Sequence, residues 1–173
     1  LKIVTKKIDN TLIFYDKDIE INIEELFRSG FFSSEDVKNV EWINEDKWVK
    51  KHYIRKGMMS FFKDKYLYVD IKNTRSFREF EILNYLHRNN FNTCRPILGW
   101  ATYHGAIYRA NLVTEAIQAR TLKDLLDLLA TGLGVVPMDT FNSHFVKYER
   151  PDLFKKIGSY VAEMHNLNVF HGD

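Results

Sequence analysis

Three things are scarce in this 173-residue chain: cysteine, long apolar runs, and an excess of either charge. Cys94 is the only cysteine, which excludes an intrachain disulfide and denies a structural zinc site its usual thiols. The six histidines stand apart at 52, 87, 104, 144, 165 and 171 and make no metal-ligand spacing. No apolar run approaches the roughly 20 residues of a membrane-spanning helix, and no charged-then-apolar leader opens the chain. The expectation is a cytoplasmic protein that remains free to sit on a membrane surface. The 25 Lys and Arg against 23 Asp and Glu leave a formal charge of +2, which supplies no general attraction to polyanions. With no reading helix or aromatic-sheet motif either, nucleic acid is not an expected partner. Repeats and low-complexity segments are lacking as well.

What remains is an ordinary globular composition, 45% hydrophobic and 28% charged, long enough to bury a core as one domain or most of one. The 13 Phe and 9 Tyr predict an aromatic-rich interior. Residues 12–15 read as a strand and 22–28 as a short helix that stops at Ser29-Gly30. Residues 37–43 and 47–54 predict two strands joined by the polar turn Asn44-Glu45-Asp46. In the second strand, alternation places Val49, Lys51 and Tyr53 on one face and Lys50 and His52 on the other. A half-buried Lys51 needs an anionic partner; otherwise it must snorkel to water.

A helix is predicted after residue 73, with Thr74 or Ser76 as N-cap and an apolar stripe of Phe77, Phe80, Leu83 (or Tyr85) and Leu86. Glu79 stands three residues past Ser76, the capping-box position, and close enough to the stripe to partner a buried lysine. Residues 97–103 and 106–114 read as a hairpin turning at His104-Gly105. Thr121 caps a helix over 122–130, and 131–149 reads as a glycine-containing loop and an irregular segment. Pro151-Asp152 opens a last helix with Leu153, Ile157, Val161 and Met164 on its inner face. A short apolar run then delivers His171-Gly172-Asp173.

Four stretches, taken together, carry a family likeness. They are Lys50-Lys51-His52-Tyr53-Ile54-Arg55-Lys56-Gly57, Thr74-Arg75-Ser76-Phe77-Arg78-Glu79-Phe80, Tyr108-Arg109-Ala110-Asn111-Leu112-Val113-Thr114-Glu115, and the closing triplet. From about Glu41 to the end the chain resembles the lipopolysaccharide kinase family, its 3-deoxy-D-manno-octulosonic acid (Kdo) kinase branch most of all. The resemblance implies an α+β, protein-kinase-like fold. Residues 1–117 would form an antiparallel-sheet amino lobe with one main helix, 1–40 being an extension or first strands, and 118–173 would begin a helical carboxy lobe. It also implies ATP and magnesium as cofactors and transfer of the γ-phosphoryl group to a Kdo hydroxyl on lipid A. That acceptor would put the protein peripherally on the cytoplasmic face of the inner membrane.

On this likeness Lys51 pairs with the nucleotide phosphates and Glu79 holds it in place. The family often carries arginine at the Lys51 position, so the charge is kept and the fork geometry is not. Thr114 falls at the back of the nucleotide pocket, and Glu115, Ala116 and Ile117 at the hinge whose backbone meets adenine. Asp173 is the carboxylate that accepts the acceptor's proton, with His171 propping its loop. For Thr114 and His171 the plain alternative is a buried residue satisfying nearby backbone. Two departures stand out. The hairpin corresponding to a phosphate-covering loop, at Asn44-Glu45-Asp46, contains no glycine. The metal-binding Asn and the later Asp are expected beyond Asp173, so the chain reads as truncated and without metal ligands of its own.

Lys56, Met58, Met59, Phe61, Phe62, Lys63 and Lys65 combine cations with apolar side chains and are candidates for lipid or membrane contact. The plain alternative is a loop whose aromatics pack under the lobe. Competing readings are another small-molecule kinase of the aminoglycoside phosphotransferase type, a small archaeal-type Ser/Thr kinase, or a non-catalytic kinase-like module that binds nucleotide or a partner. Oligomeric state is left open.

Overall fold

The computed structural model describes residues 3–33, 38–55, 57–117, 119, 123–124, 126–127, 136–138, 144–146 and 150–170. The chain divides into two compact units, Leu1–Ala116 and Ile117–Asp173.

The first unit is built on seven antiparallel strands: β1 (Ile3–Ile8), β2 (Thr11–Asp16), β3 (Val40–Ile43), β4 (Trp48–His52), β5 (Tyr66–Leu67), β6 (Pro96–His104) and β7 (Ile107–Glu115). They lie in the order β1-β2-β6-β7-β4-β3, with β5 also paired to β7. Strand β1 is not predicted from the sequence. It is an edge strand, and its Lys6 and Lys7 blur the apolar alternation that an interior strand would need. Helix α1 (Ile23–Arg28) starts where Asn22 accepts the Glu25 N–H at 3.2 Å. It ends at Gly30, whose φ of 76° lets the Phe31 N–H return to the Leu26 carbonyl at 3.1 Å.

Helix α2 (Arg75–Arg88) packs on one face of the sheet. Its cap is Thr74, whose hydroxyl accepts the Phe77 N–H at 3.4 Å. Ser76 is buried and donates to the Trp100 carbonyl at 3.3 Å instead, so no capping box forms and Glu79 is released for another partner. The core on this face holds Phe14, Tyr53, Phe77, Phe80 and Leu112, each large side chain worth about 1.5–3 kcal/mol on burial. Phe14 meets Phe77 and Phe80 edge-on at 5.0 and 5.3 Å. It gets there by lying over Gly99 of β6, where any Cβ would collide with its ring. The other face is covered by α1 and Phe32, packed on Ile13, Leu98, Trp100 and Val113.

In the second unit, residues 123, 124, 126 and 127 are helical; the rest of the helix predicted over 122–130 lies outside the described residues. Within the stretch predicted to be loop and irregular, β8 (Val136–Met138) and β9 (His144–Val146) pair antiparallel. Three-residue strands carry too little alternation to read from sequence. Helix α3 (Arg150–Asn166) carries Pro151 in its first turn, where a missing N–H costs nothing. Leu153 is buried and Ile157 and Met164 half-buried, whereas Val161 is exposed. The helix closes with Asn168 at a φ of 57° and the Val169 N–H on the Met164 carbonyl.

Candidate active site

The register of the sheet puts Lys51 of β4 opposite Leu112 of β7 and Val40 of β3. All three share the face on which α2 lies. There Lys51 Nζ donates to both carboxylate oxygens of Glu79, at 2.8 and 3.0 Å. Tyr53, two residues along the same strand, donates its hydroxyl to Glu79 Oε2 at 2.7 Å. The Lys51 ammonium stands 4.8 Å from the Tyr53 ring centroid. Burial first, and the Glu79 charge second, push the Tyr53 hydroxyl far above its ordinary range, so it remains a donor.

The Lys51 and Glu79 side chains are 44% and 37% exposed. An ion pair this open to water adds little stability, but it fixes an ammonium at a known place on an accessible surface. An ammonium carries three protons, so Lys51 can bond Glu79 and still donate to an incoming anion. Sequence reasoning misses Tyr53 as a site residue, although its alternation with Lys51 is the signal that could find it.

Further along the same face, Val49 pairs with Trp42 of β3 and Thr114 of β7. Trp42 is 46% exposed and Val40 51%, so with Val49 they form an apolar surface beside Lys51. Sequence singles out neither Trp42 nor Val40, because only the pairing of β3 to β4 assigns them this face. Thr114 is half-buried. The Glu115 N–H is taken by the Arg95 carbonyl at 2.8 Å, and the Ala116 N–H by the Lys47 carbonyl at 2.9 Å. Both of these N–H groups are therefore already engaged within the first unit.

The turn Asn44-Glu45-Asp46, three successive residues at φ of 53°, 54° and 62°, also needs correction. It sits where Trp48 pairs with Glu115, at the hinge end of β4. Lys51 is three residues beyond Trp48, about 10 Å along the strand. This turn is therefore not the cover for phosphates held by Lys51. The segment leading into β3 is the one at the Lys51 end, since Val40 pairs with Lys51 and the Asn39 carbonyl accepts the His52 N–H; its residues 34–37 lie outside the described residues.

His171 and Asp173 also lie outside the described residues, as do Lys56 and the side chain of Met59. Met58, Phe61, Phe62, Lys63 and Lys65 are all exposed. Among the described residues no group of three or more His, Cys, Asp or Glu side chains is placed to hold a metal ion, and no helix is long and apolar enough to cross a membrane.

An antiparallel sheet running into a hinge, with a lysine on the neighbouring strand clamped by a glutamate from the one long helix, defines a protein-kinase-like amino lobe. More specifically, the chain belongs to the lipopolysaccharide kinase (Kdo/WaaP) family, whose model matches residues 23–173. It is 33% identical over 124 residues to a 3-deoxy-D-manno-octulosonic acid kinase of Vibrio vulnificus, covering 71% of this chain and 45% of that one. The kinase of the same name from Photobacterium profundum is 33% identical over 125 residues, with the same coverage. That of Vibrio cholerae serotype O1 is 30% identical over 124 residues, covering 71% of this chain and 46% of the relative. The chain thus spans about half the length of the curated relatives it matches. No solved structure gives a significant match.

Proposed function

We propose that this protein acts in ATP-dependent phosphorylation of a Kdo hydroxyl on lipid A, a step of lipopolysaccharide core assembly. The observation that carries the reading is Lys51 Nζ held by both oxygens of Glu79 on an exposed surface next to a hinge. Adenine would lie against Val40, Trp42 and Val49, and Lys51 would donate to a phosphate oxygen. Asp173 would take the proton of the acceptor hydroxyl as that oxygen bonds to the γ-phosphorus and ADP departs with the broken bridge. Magnesium supplies charge neutralisation across the phosphates in kinases of this class; the roles assigned to this chain are those of Lys51, Glu79 and Asp173. The acceptor places the reaction at the cytoplasmic face of the inner membrane, with the protein bound there peripherally.

The test is transfer of radiolabelled γ-phosphate from magnesium-ATP to dispersed Kdo-lipid A. Asp173→Ala is expected to lower turnover by about a hundredfold to ten-thousandfold while ATP still binds. ATP binding without transfer to this acceptor would sink the Kdo assignment and redirect the search to aminoglycosides and Ser/Thr substrates. Binding with no transfer to any acceptor would favour a non-catalytic module.

A further inference from the structure

Between β4 and β5 the chain makes a 3-10 turn, Gly57–Phe62, that leaves Met58, Phe61 and Phe62 exposed. Met58 is 97% exposed, Phe61 85% and Phe62 49%, and just beyond them Leu67 is 75% and Tyr68 63% exposed. Single exposed apolar residues carry no message, but three in one turn followed by two more at β5 mark a contact surface. Lys63 and Lys65, both exposed, stand beside them.

The projection is clamped to the sheet at its base. Arg55 donates its N–H to the Lys63 carbonyl at 2.7 Å and Nε to the Lys65 carbonyl at 3.0 Å, and its guanidinium lies 4.4 Å from the Tyr66 ring centroid. Asp64 meets His52 Nε2 at 3.2 Å and Arg109 Nε at 2.8 Å, and His52 is itself buried. A surface this apolar, held in shape rather than collapsed onto the core, is preorganised for an apolar partner.

We propose that this projection is a membrane foot. Met58, Phe61, Phe62 and Leu67 enter the head-group boundary of an anionic phospholipid bilayer, and Lys63 and Lys65 meet its phosphates. Apolar side chains flanked by cations are complementary to that surface and to few others. The placement also suits the proposed reaction, on which the foot's purpose rests though its binding does not. Strand β5 pairs with β7 at Ile107 and Tyr108, whereas Lys51 pairs at Leu112, four residues or about 13 Å further along. The hinge is at the far end of β7, turned away from the foot. Such a spacing holds the phosphate-binding lysine above the bilayer at the level of a glycolipid's sugars.

The experiment is co-sedimentation of the full chain with phosphatidylethanolamine–phosphatidylglycerol vesicles that contain no Kdo glycolipid, in the absence of ATP. Partition is expected to fall about tenfold or more in a Met58→Asp/Phe61→Asp variant. It should fall at least about fivefold for each lysine reversed in Lys63→Glu/Lys65→Glu, and be weak on purely zwitterionic vesicles. Ile82→Asp, at an exposed position on α2, should leave it unchanged. Circular-dichroism melting of each variant guards against misfolding. Wild-type partition retained in Met58→Asp/Phe61→Asp would overturn the foot. So would lipid-free self-association that the same substitutions abolish, which would make this face a protein interface. Vesicle binding by a protein that phosphorylates no Kdo acceptor would uphold the foot while sinking the proposed reaction.

Discussion

On β4 two adjacent lysines leave the sheet on opposite faces and meet opposite surroundings. Lys51 is 44% exposed and bonded to Glu79, with a hydroxyl behind the carboxylate. Lys50 is only 13% exposed, with its ammonium 5.6 and 5.7 Å from the Phe31 and Trp100 ring centroids and 3.9 Å from Glu41. The first cation is held but open, as an anion-binding group must be. The second is nearly sealed by aromatic rings, where its attraction to their faces contributes to holding the amino-terminal cover on the sheet. Charge alone does not separate them; access to solvent does.

The sharpest way to break this contrast is to remove each cation. Lys51→Met should lower kcat/KM for phosphoryl transfer by about a hundredfold to a thousandfold and leave thermal unfolding almost unchanged. Equal losses of activity in Lys51→Met and Lys50→Met would erase the distinction. Next in size is Tyr53→Phe, which keeps the ring under Lys51 but removes the bond to Glu79. A drop of about tenfold in kcat/KM is expected. The loss should vanish when Glu79 is already changed to Gln, a non-additivity that mere loss of packing would not produce.

Lys50→Met should act on the other quantity, lowering unfolding free energy by about 1 kcal/mol in urea titrations with ATP affinity unchanged. The smallest effect concerns an intermediate case, Asp16, whose side chain is 8% exposed and bonded to Arg88 at 2.7 Å. Burial works to raise this carboxyl, but the Asp18 N–H and the Arg88 guanidinium outweigh it and hold it below its ordinary 3.8. A carboxyl depressed on folding adds stability that is fully present above its unfolded pKa. That stability is lost as pH falls through the lower folded value. Asp16→Asn should remove this acid limb, by less than about 1 kcal/mol because Arg88 is partly in water, as read from melting between neutral pH and about pH 2.

Much of the site was legible locally. Alternation in 47–54 separated Lys51 from Lys50, and helical spacing put Glu79 near the stripe of α2. Turn chemistry located the hairpin of β6 and β7, although β6 runs one residue further at each end than read and β7 lies one residue later along the chain. Other features were not legible for definite reasons. Edge strand β1 needs no apolar alternation, and the choice of Thr74 over Ser76 as cap depended on the Trp100 carbonyl being there to receive Ser76.

Sequence by itself determined helices α1 and α2, the β3–β4 and β6–β7 hairpins and the division of β4 into two faces, because these follow from periodicity and turn chemistry within a few residues. Which face would become the site was decided by tertiary structure. His52 meets Asn111 across 59 residues of chain, and that pairing of β4 to β7 sets Lys51 opposite Leu112, while the pairing of β3 to β4 adds Val40 and Trp42 to the same face. Only α2 settling on that face, with Phe77 and Phe80 against Phe14, brings Glu79 to Lys51 and leaves Lys50 to the aromatic rings. Contacts between segments so far apart depend on burial summed over the whole sheet, which no local pattern encodes.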